Sequence, residues 1–177
     1  MIKKIDLQNS IRNIPDFPKP GILFRDITTL LQDKQAFKHA VDTLTEKFKH
    51  KKIDVVVAVE ARGFILGGAI AHKLGVGFIP VRKKGKLPWK TDSVTYDLEY
   101  GTDTLEIHKD ALKPGLRVLI VDDLLATGGT VKAVTELVEL QGAKIAGIAF
   151  VIELVDLNGR SKLSKYPVVS LVEFEDK

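Results

Sequence analysis

Four apolar residues, Val118 to Val121, run straight into Asp122-Asp123, and a Thr127-Gly-Gly-Thr130 turn follows before a helix-patterned segment opens at Val131. The apolar run is short enough to be a buried parallel strand. A glycine-rich turn between such a strand and a helix points several backbone N–H groups into one cavity. The helix N-terminus behind it adds roughly half a positive charge, so the cavity suits a phosphate. Thr127 and Thr130 can add hydroxyl donors at the same place.

Asp122 and Asp123 would repel that phosphate, so they need another role. Vicinal sugar hydroxyls supply one, because a carboxylate accepts two hydrogen bonds and ribose carries two neighbouring hydroxyls. Acid pair plus phosphate loop reads as a cradle for ribose 5-phosphate. Two other readings stand beside it: an ordinary strand end with acids near a helix start, and a carboxylate pair holding Mg2+ in some other phosphate enzyme. The loop is not a Walker loop, since no Gly-Lys-Ser/Thr follows the glycines, nor a Gly-x-Gly-x-x-Gly dinucleotide turn.

Strand and helix patterns alternate along the rest of the chain. Strands are predicted at 55–59, 77–81, 117–121, 145–152 and 168–172. Helices are predicted at 34–49, 63–74 and 131–141, with a short one over 3–12. The helix at 63–74 is expected to pack tightly through Gly67, Gly68, Ala69 and Ala71. This order implies an α/β fold, a mainly parallel sheet with helices on both faces. Ligands in such sheets bind beyond the carboxyl ends of the strands. Glu60-Ala61-Arg62-Gly63, the cations after strand 77–81 and the Asp122-Asp123 pair all belong at that rim. Between 94 and 109 a hairpin is predicted about a two-residue Gly101-Thr102 loop, with Tyr100 opposite Asp103, Leu98 opposite Leu105 and Tyr96 opposite Ile107. Its other face carries Thr95, Asp97, Glu99, Thr104, Glu106 and His108. On that reading Glu99 is either a solvated hairpin acid or a carboxylate facing the cavity.

The 177 residues suit one domain with a real core, and 45% apolar with 28% charged residues are the proportions of a soluble globular protein. No signal peptide is read at Met1-Ile-Lys-Lys, and the most apolar window, 145–152, is too short to cross a membrane. Without cysteine, disulfides, zinc–thiolate sites and cysteine nucleophiles are excluded, which fits a reducing cytoplasm. Arg82, Lys83, Lys84, Lys86 and Lys90 cluster with no acid among them. Only Trp89 is interleaved with them, so a pyrophosphate site explains the cluster more economically than nucleic acid does. Arg62 adds a planar fork that grips phosphate oxygens bidentately. Two anion sites and a diol site on one rim match a sugar bearing a 5-phosphate and a 1-pyrophosphate.

Five stretches carry a resemblance over essentially the whole length. They are Phe17-Pro-Lys-Pro-Gly-Ile-Leu-Phe-Arg-Asp-Ile27, Val59-Glu-Ala-Arg-Gly-Phe64, Val81-Arg-Lys-Lys-Gly-Lys-Leu-Pro88, Tyr96-Asp-Leu-Glu-Tyr-Gly101 and Val121-Asp-Asp-Leu-Leu-Ala-Thr-Gly-Gly-Thr130. In order and spacing the chain resembles the adenine phosphoribosyltransferases, a family of type I phosphoribosyltransferases. The resemblance implies one domain over 1–177. That domain would have a type I phosphoribosyltransferase fold, a base-recognition hood within 1–33 and a flexible hairpin lid over 83–108. It implies formation of AMP and pyrophosphate from adenine and 5-phosphoribosyl 1-pyrophosphate with Mg2+, by a cytoplasmic homodimer in purine salvage. No nucleic-acid or membrane partner is implied.

By that resemblance Asp122 and Asp123 hold the ribose hydroxyls, and Ala126, Thr127, Gly128, Gly129 and Thr130 hold the 5-phosphate. Arg62 and Lys83 meet the pyrophosphate, with the Glu60-Ala61 peptide beside it. The metal has no dedicated protein site; Mg2+ arrives with the substrate, with Asp122 and Asp123 nearby. Adenine is read at Leu23, Phe24 and Arg25. In the related 6-oxopurine enzymes an aspartate near N7 occupies the position of Ala126, so the resemblance assigns that role to Glu99, with Arg62 as its catalytic companion. Trp89 and Lys90 receive no role, and Tyr100 resembles a family tyrosine near the active site or packs in the core. A phosphoribosyl-pyrophosphate-sensing regulator would keep the loop but dispense with the hood and Glu99. A transferase for xanthine or orotate is a further alternative, disfavoured by Ala126 and the Phe24-Arg25 hood.

Overall fold

The structure, a computed structural model, describes residues 5–97 and 101–175. The chain parts into two compact units, Met1–Thr43 and Leu44–Lys177.

In the first unit Arg12–Ile14 (β1) and Phe24–Asp26 (β2) pair antiparallel, with Arg12 opposite Asp26. Among the described residues of the helix predicted over 3–12, only one 3-10 turn forms, Gln8–Ser10. The Asp6 carboxylate accepts the N–H groups of Gln8 and Asn9 at 3.0 and 3.3 Å, a local closure that competes with helix continuation. A helix of five residues, Thr28–Gln32 (α1), was not predicted. It starts where the Asp26 carboxylate takes the Thr28 N–H at 2.9 Å and its hydroxyl at 2.7 Å. Lys34–Phe48 (α2) matches its prediction within a residue and carries its last turn into the second unit. Asp33 sets its start, accepting the N–H groups of Gln35 and Ala36 at 2.8 Å each.

The second unit holds Val55–Val59 (β3), Arg62–Leu74 (α3), Gly77–Lys83 (β4), Thr91–Asp97 (β5), Thr102–His108 (β6), Arg117–Leu125 (β7), Gly129–Leu140 (α4), Lys144–Leu154 (β8) and Val168–Phe174 (β9). They form one seven-stranded sheet in the order β5-β6-β4-β3-β7-β8-β9. β3, β4, β7, β8 and β9 run parallel, and the β5–β6 hairpin joins antiparallel at the β4 edge. Strand residues alternate between faces, and each face has its helix. Val55, Val57, Val118 and Ile120 share a core with Val131, Val134, Leu137 and Val138 of α4. On the opposite face α3 presents Gly67, where a Cβ would lie 2.7 Å from that of Ala58. Gly67 is the tight contact expected of this helix; Gly68 faces open space.

Two strand predictions change. β7 continues to Leu125, so the two aspartates lie within the strand rather than beyond it. The cause is the length of β8, which pairs with β7 as far as Leu125 opposite Glu153. In the hairpin, Tyr96 stands opposite Asp103 and Val94 opposite Leu105, not Tyr96 opposite Ile107. β6 is registered from its other side by β4, through Arg82 opposite Glu106 and Lys83 opposite Leu105. The turn alone therefore does not decide the pairing. Because the slip is even, every side chain keeps its face: Tyr96, Leu105 and Ile107 share one, Thr95, Thr104 and Glu106 the other. Leu98, Glu99 and Tyr100 lie outside the described residues.

Candidate active site

The carboxyl ends of β3, β4 and β7 converge on a cavity of about 530 Å³ lined by Glu60, Ala61, Arg62, Lys83, Asp122, Asp123, Ala126 and Thr130. A smaller adjoining hollow of about 80 Å³ is lined by Thr127, Gly128, Gly129 and their neighbours. The three motifs placed at one rim by strand order therefore do meet. Leu23, Phe24 and Arg25 belong to the first unit. Arg25 is buried and its Nη1 donates to Asn13 Oδ1 at 2.5 Å, while Phe24 meets Phe17 edge-on at 5.1 Å.

The phosphate loop takes its shape from glycine. Gly128 caps α4 at φ +78°, a conformation that side chains with a Cβ resist. At the start of an α-helix the first N–H groups lack intrahelical partners. Here Gly129, Thr130 and Val131 line the 80 Å³ hollow, and the Lys132 N–H bonds back to Gly128 O at 3.0 Å. The Thr130 hydroxyl donates to Tyr96 Oη at 3.3 Å, tying the loop to the hairpin.

Charge is arranged in pairs around the cavity. Arg62 Nε lies 2.7 Å from Asp123 Oδ2, and Asp123 itself is buried. Burial pushes the Asp122 carboxyl well above the usual carboxylate range, and the Asp123 charge beside it pushes the same way. Gly63 permits this crowding, since a Cβ there would stand 2.8 Å from Asp122 Oδ1. Glu60 turns its side chain toward β4. Its Oε2 holds Arg82 Nη2 at 2.9 Å and its Oε1 accepts the Lys83 N–H at 2.7 Å. The hydrogen bond from Arg82 keeps the Glu60 carboxyl below its ordinary range. What Glu60-Ala61 offers the cavity is therefore its backbone, through a cis peptide bond. Lys83 Nζ lies 3.0 Å from Asp103 Oδ2, and that contact raises its pKa.

Sequence reasoning assigned no site role to Tyr96, Asp103 and Leu105, which also line the cavity. The alternation of the hairpin put Tyr96 and Leu105 together on one face, but nothing in the spacing showed which cavity that face would meet.

Among the described residues no group of three or more His, Cys, Asp or Glu side chains is placed to hold an ion. The Asp122 and Asp123 carboxyls are hard oxygen ligands, a type that suits Mg2+ completed by ligands from elsewhere.

Residues 27–176 match the model of the phosphoribosyl transferase domain family, the class that this sheet and this cavity define. An adenine phosphoribosyltransferase of Clostridium perfringens is 61% identical over 171 residues, spanning 97% of this chain and 99% of the relative. The crystal structure of adenine phosphoribosyltransferase from Thermoanaerobacter pseudethanolicus is 54% identical, with a TM-score of 0.92 over 95% of this chain and 98% of that one. The Saccharomyces cerevisiae enzyme, crystallised with adenine and an imino-altritol bisphosphate, is 45% identical with a TM-score of 0.88, covering 94% and 96%. The chain belongs to the adenine phosphoribosyltransferase family.

Proposed function

We propose that this chain transfers the 5-phosphoribosyl group of 5-phosphoribosyl 1-pyrophosphate to N9 of adenine, giving AMP and pyrophosphate. The observation that carries the reading is a cavity lined by a carboxylate pair, Arg62 and Lys83 that adjoins a hollow formed by a glycine-rich loop at a helix N-terminus. Asp122 and Asp123 hold the ribose hydroxyls, and the Ala126–Thr130 loop holds the 5-phosphate. Arg62 and Lys83 receive the pyrophosphate beside the Glu60-Ala61 peptide. Leu23, Phe24 and Arg25 read the base through backbone groups that accept from the exocyclic amine and donate to N1. Hypoxanthine would oppose acceptor to acceptor and donor to donor, at about 1–3 kcal/mol for each unpaired buried group.

The bond from C1 to the pyrophosphate oxygen breaks with its electron pair leaving on pyrophosphate, and N9 forms the new bond to C1. The ribose is cation-like between these events. Arg62 and Lys83 are already in place for the charge that develops on the leaving group, a preorganised electrostatic contribution. Asp122 and Asp123 would lie near a Mg2+ ion brought by the substrate, and the ion would supply further neutralisation of the pyrophosphate. Glu99, beside N7, accepts or steers the proton that the base loses. The hairpin within 83–108 keeps water from the cation. Its support is the Thr130–Tyr96 hydrogen bond and the closeness of β5 to the start of α4, where a Cβ on Gly129 would stand 3.4 Å from Asp97 O.

We likewise infer a homodimer acting in the cytoplasm. Family membership, the exposed apolar side chains of Ile65 and Leu140 and the absence of cysteine support this setting. No helix among the described residues is long and apolar enough to cross a membrane.

Steady-state AMP formation by Glu99→Gln tests the chemical assignment. A kcat lowered roughly 100-fold or more, with both KM values within about threefold of the parent, is expected for a group acting on the proton in flight. An unchanged kcat removes Glu99 from the reaction.

A further inference from the structure

Against the phosphate loop, two stretches of backbone touch with no side chain between them, and Gly159, on the second of them, lines neither the cavity nor the adjoining hollow. Gly159 is buried at the start of a 3-10 turn, Gly159–Leu163. A Cβ on Gly159 would lie 2.1 Å from Ala126 O and 2.9 Å from Gly128 N. The reverse also holds, since a Cβ on Gly128 would meet Gly159 O at 2.6 Å. Neither contact can be relieved by rotating a side chain, because the atoms met are backbone. Asn158, in the left-handed region at φ 50°, turns the chain so that Gly159 arrives there.

The turn that carries Gly159 is tied to the sheet by its next residue. Arg160 Nε donates to Glu153 Oε1 at 2.8 Å, Nη1 to Val168 O at 3.0 Å, and Nη2 to Ser170 Oγ at 2.9 Å and to Glu153 Oε2. Ser170 Oγ donates in turn to Glu153 Oε2 at 2.6 Å. Glu153 is buried and pairs in register with Leu125, the last residue of β7 before the loop. The planar fork thus fixes Gly159 relative to the strand from which the phosphate loop springs.

We propose that Gly159 and Arg160 are positioning residues for the phosphate loop: the Gly159 backbone is its rear wall, and Arg160 holds that wall in register with β7. The inference rests on the reading that Ala126–Thr130 bind the 5-phosphate. A loop of free N–H groups selects a tetrahedral anion only if those groups are held convergent, since a displacement of a few tenths of an ångström weakens several hydrogen bonds together. Both residues therefore act on the phosphate-bearing substrate and not on the base.

The test is a kinetic comparison of Thr127→Ala, Gly159→Ala and Arg160→Lys, each checked for a cooperative melt. KM is measured separately for phosphoribosyl pyrophosphate and for adenine, together with the inhibition constant of ribose 5-phosphate. Gly159→Ala is expected to raise the phosphoribosyl pyrophosphate KM and the ribose 5-phosphate constant about tenfold or more in parallel. The adenine KM should stay within about twofold, a split that general loosening of the fold does not produce. Arg160→Lys keeps the charge but loses the fork, and should shift both in the same direction by about threefold or more. Should Gly159→Ala not fold, Arg160→Lys carries the test alone. If folded variants leave both constants within about twofold while Thr127→Ala raises them, the rear wall is not a positioning element. If Thr127→Ala also leaves them unchanged, the reading of the loop itself fails, and this inference with it.

Discussion

At the scale of single residues, the cations of the cavity are already engaged by carboxylates of the chain. Lys83 faces Asp103 at 3.0 Å and Arg62 faces Asp123 at 2.7 Å. Asp103 stabilises the charged form of Lys83, so the ammonium is present throughout the neutral range. On the proposed reading it also competes with pyrophosphate for the same ammonium group. The pair is largely exposed on the lysine side, and exposed ion pairs contribute about 0.2–1 kcal/mol. Asp103→Asn should therefore lower the product-inhibition constant of pyrophosphate by up to about fivefold. A constant that rises would show Asp103 to be orienting Lys83 for its ligand rather than restraining it. Asp123 is different, because it is buried; on the proposed reading its pairing with Arg62 couples sugar binding to pyrophosphate binding.

At the scale of elements, the sequence was informative wherever a pattern was local. β3, β4 and the first part of β7 are apolar runs, and α2 declares itself by Phe37, Val41, Leu44 and Phe48 at helical spacing. The hairpin faces followed from alternation, but the hairpin register did not, because it depends on β4 and not on the turn. The 3-10 turn at 159–163 had no local signal at all. Gly159 is required by Ala126 and Gly128, more than thirty positions earlier, and no periodicity encodes such a contact. Gly147 is a second case. It lies in β8, and a Cβ there would stand 2.3 Å from Cε1 of Phe48, a fully buried ring. Gly147→Ala should destabilise the protein by about 1–3 kcal/mol, the usual penalty of overpacking. Urea unfolding would show a lowered midpoint with little change in slope. A midpoint equal to that of the parent would mean that α2 shifts freely against β8.

At the scale of the whole molecule, chain order placed the candidate site residues together. Arg62, Lys83, Asp122, Asp123 and the Ala126–Thr130 loop each lie at or near the carboxyl end of a strand, so order in the chain sufficed to predict one rim. What order could not show was the pairing of charges within the cavity or the backbone wall behind it. Both are properties of the packed sheet. On the proposed reading, base specificity falls to Leu23, Phe24 and Arg25. The central claim, transfer to adenine in particular, is tested most directly by offering the purified chain phosphoribosyl pyrophosphate and Mg2+ with adenine, hypoxanthine, guanine, xanthine or orotate in parallel. Nucleotide formation is then followed for each base. AMP from adenine, with the other bases slower by orders of magnitude, is the predicted result. Efficient turnover of a different base, or binding of phosphoribosyl pyrophosphate without turnover of any, would contradict it.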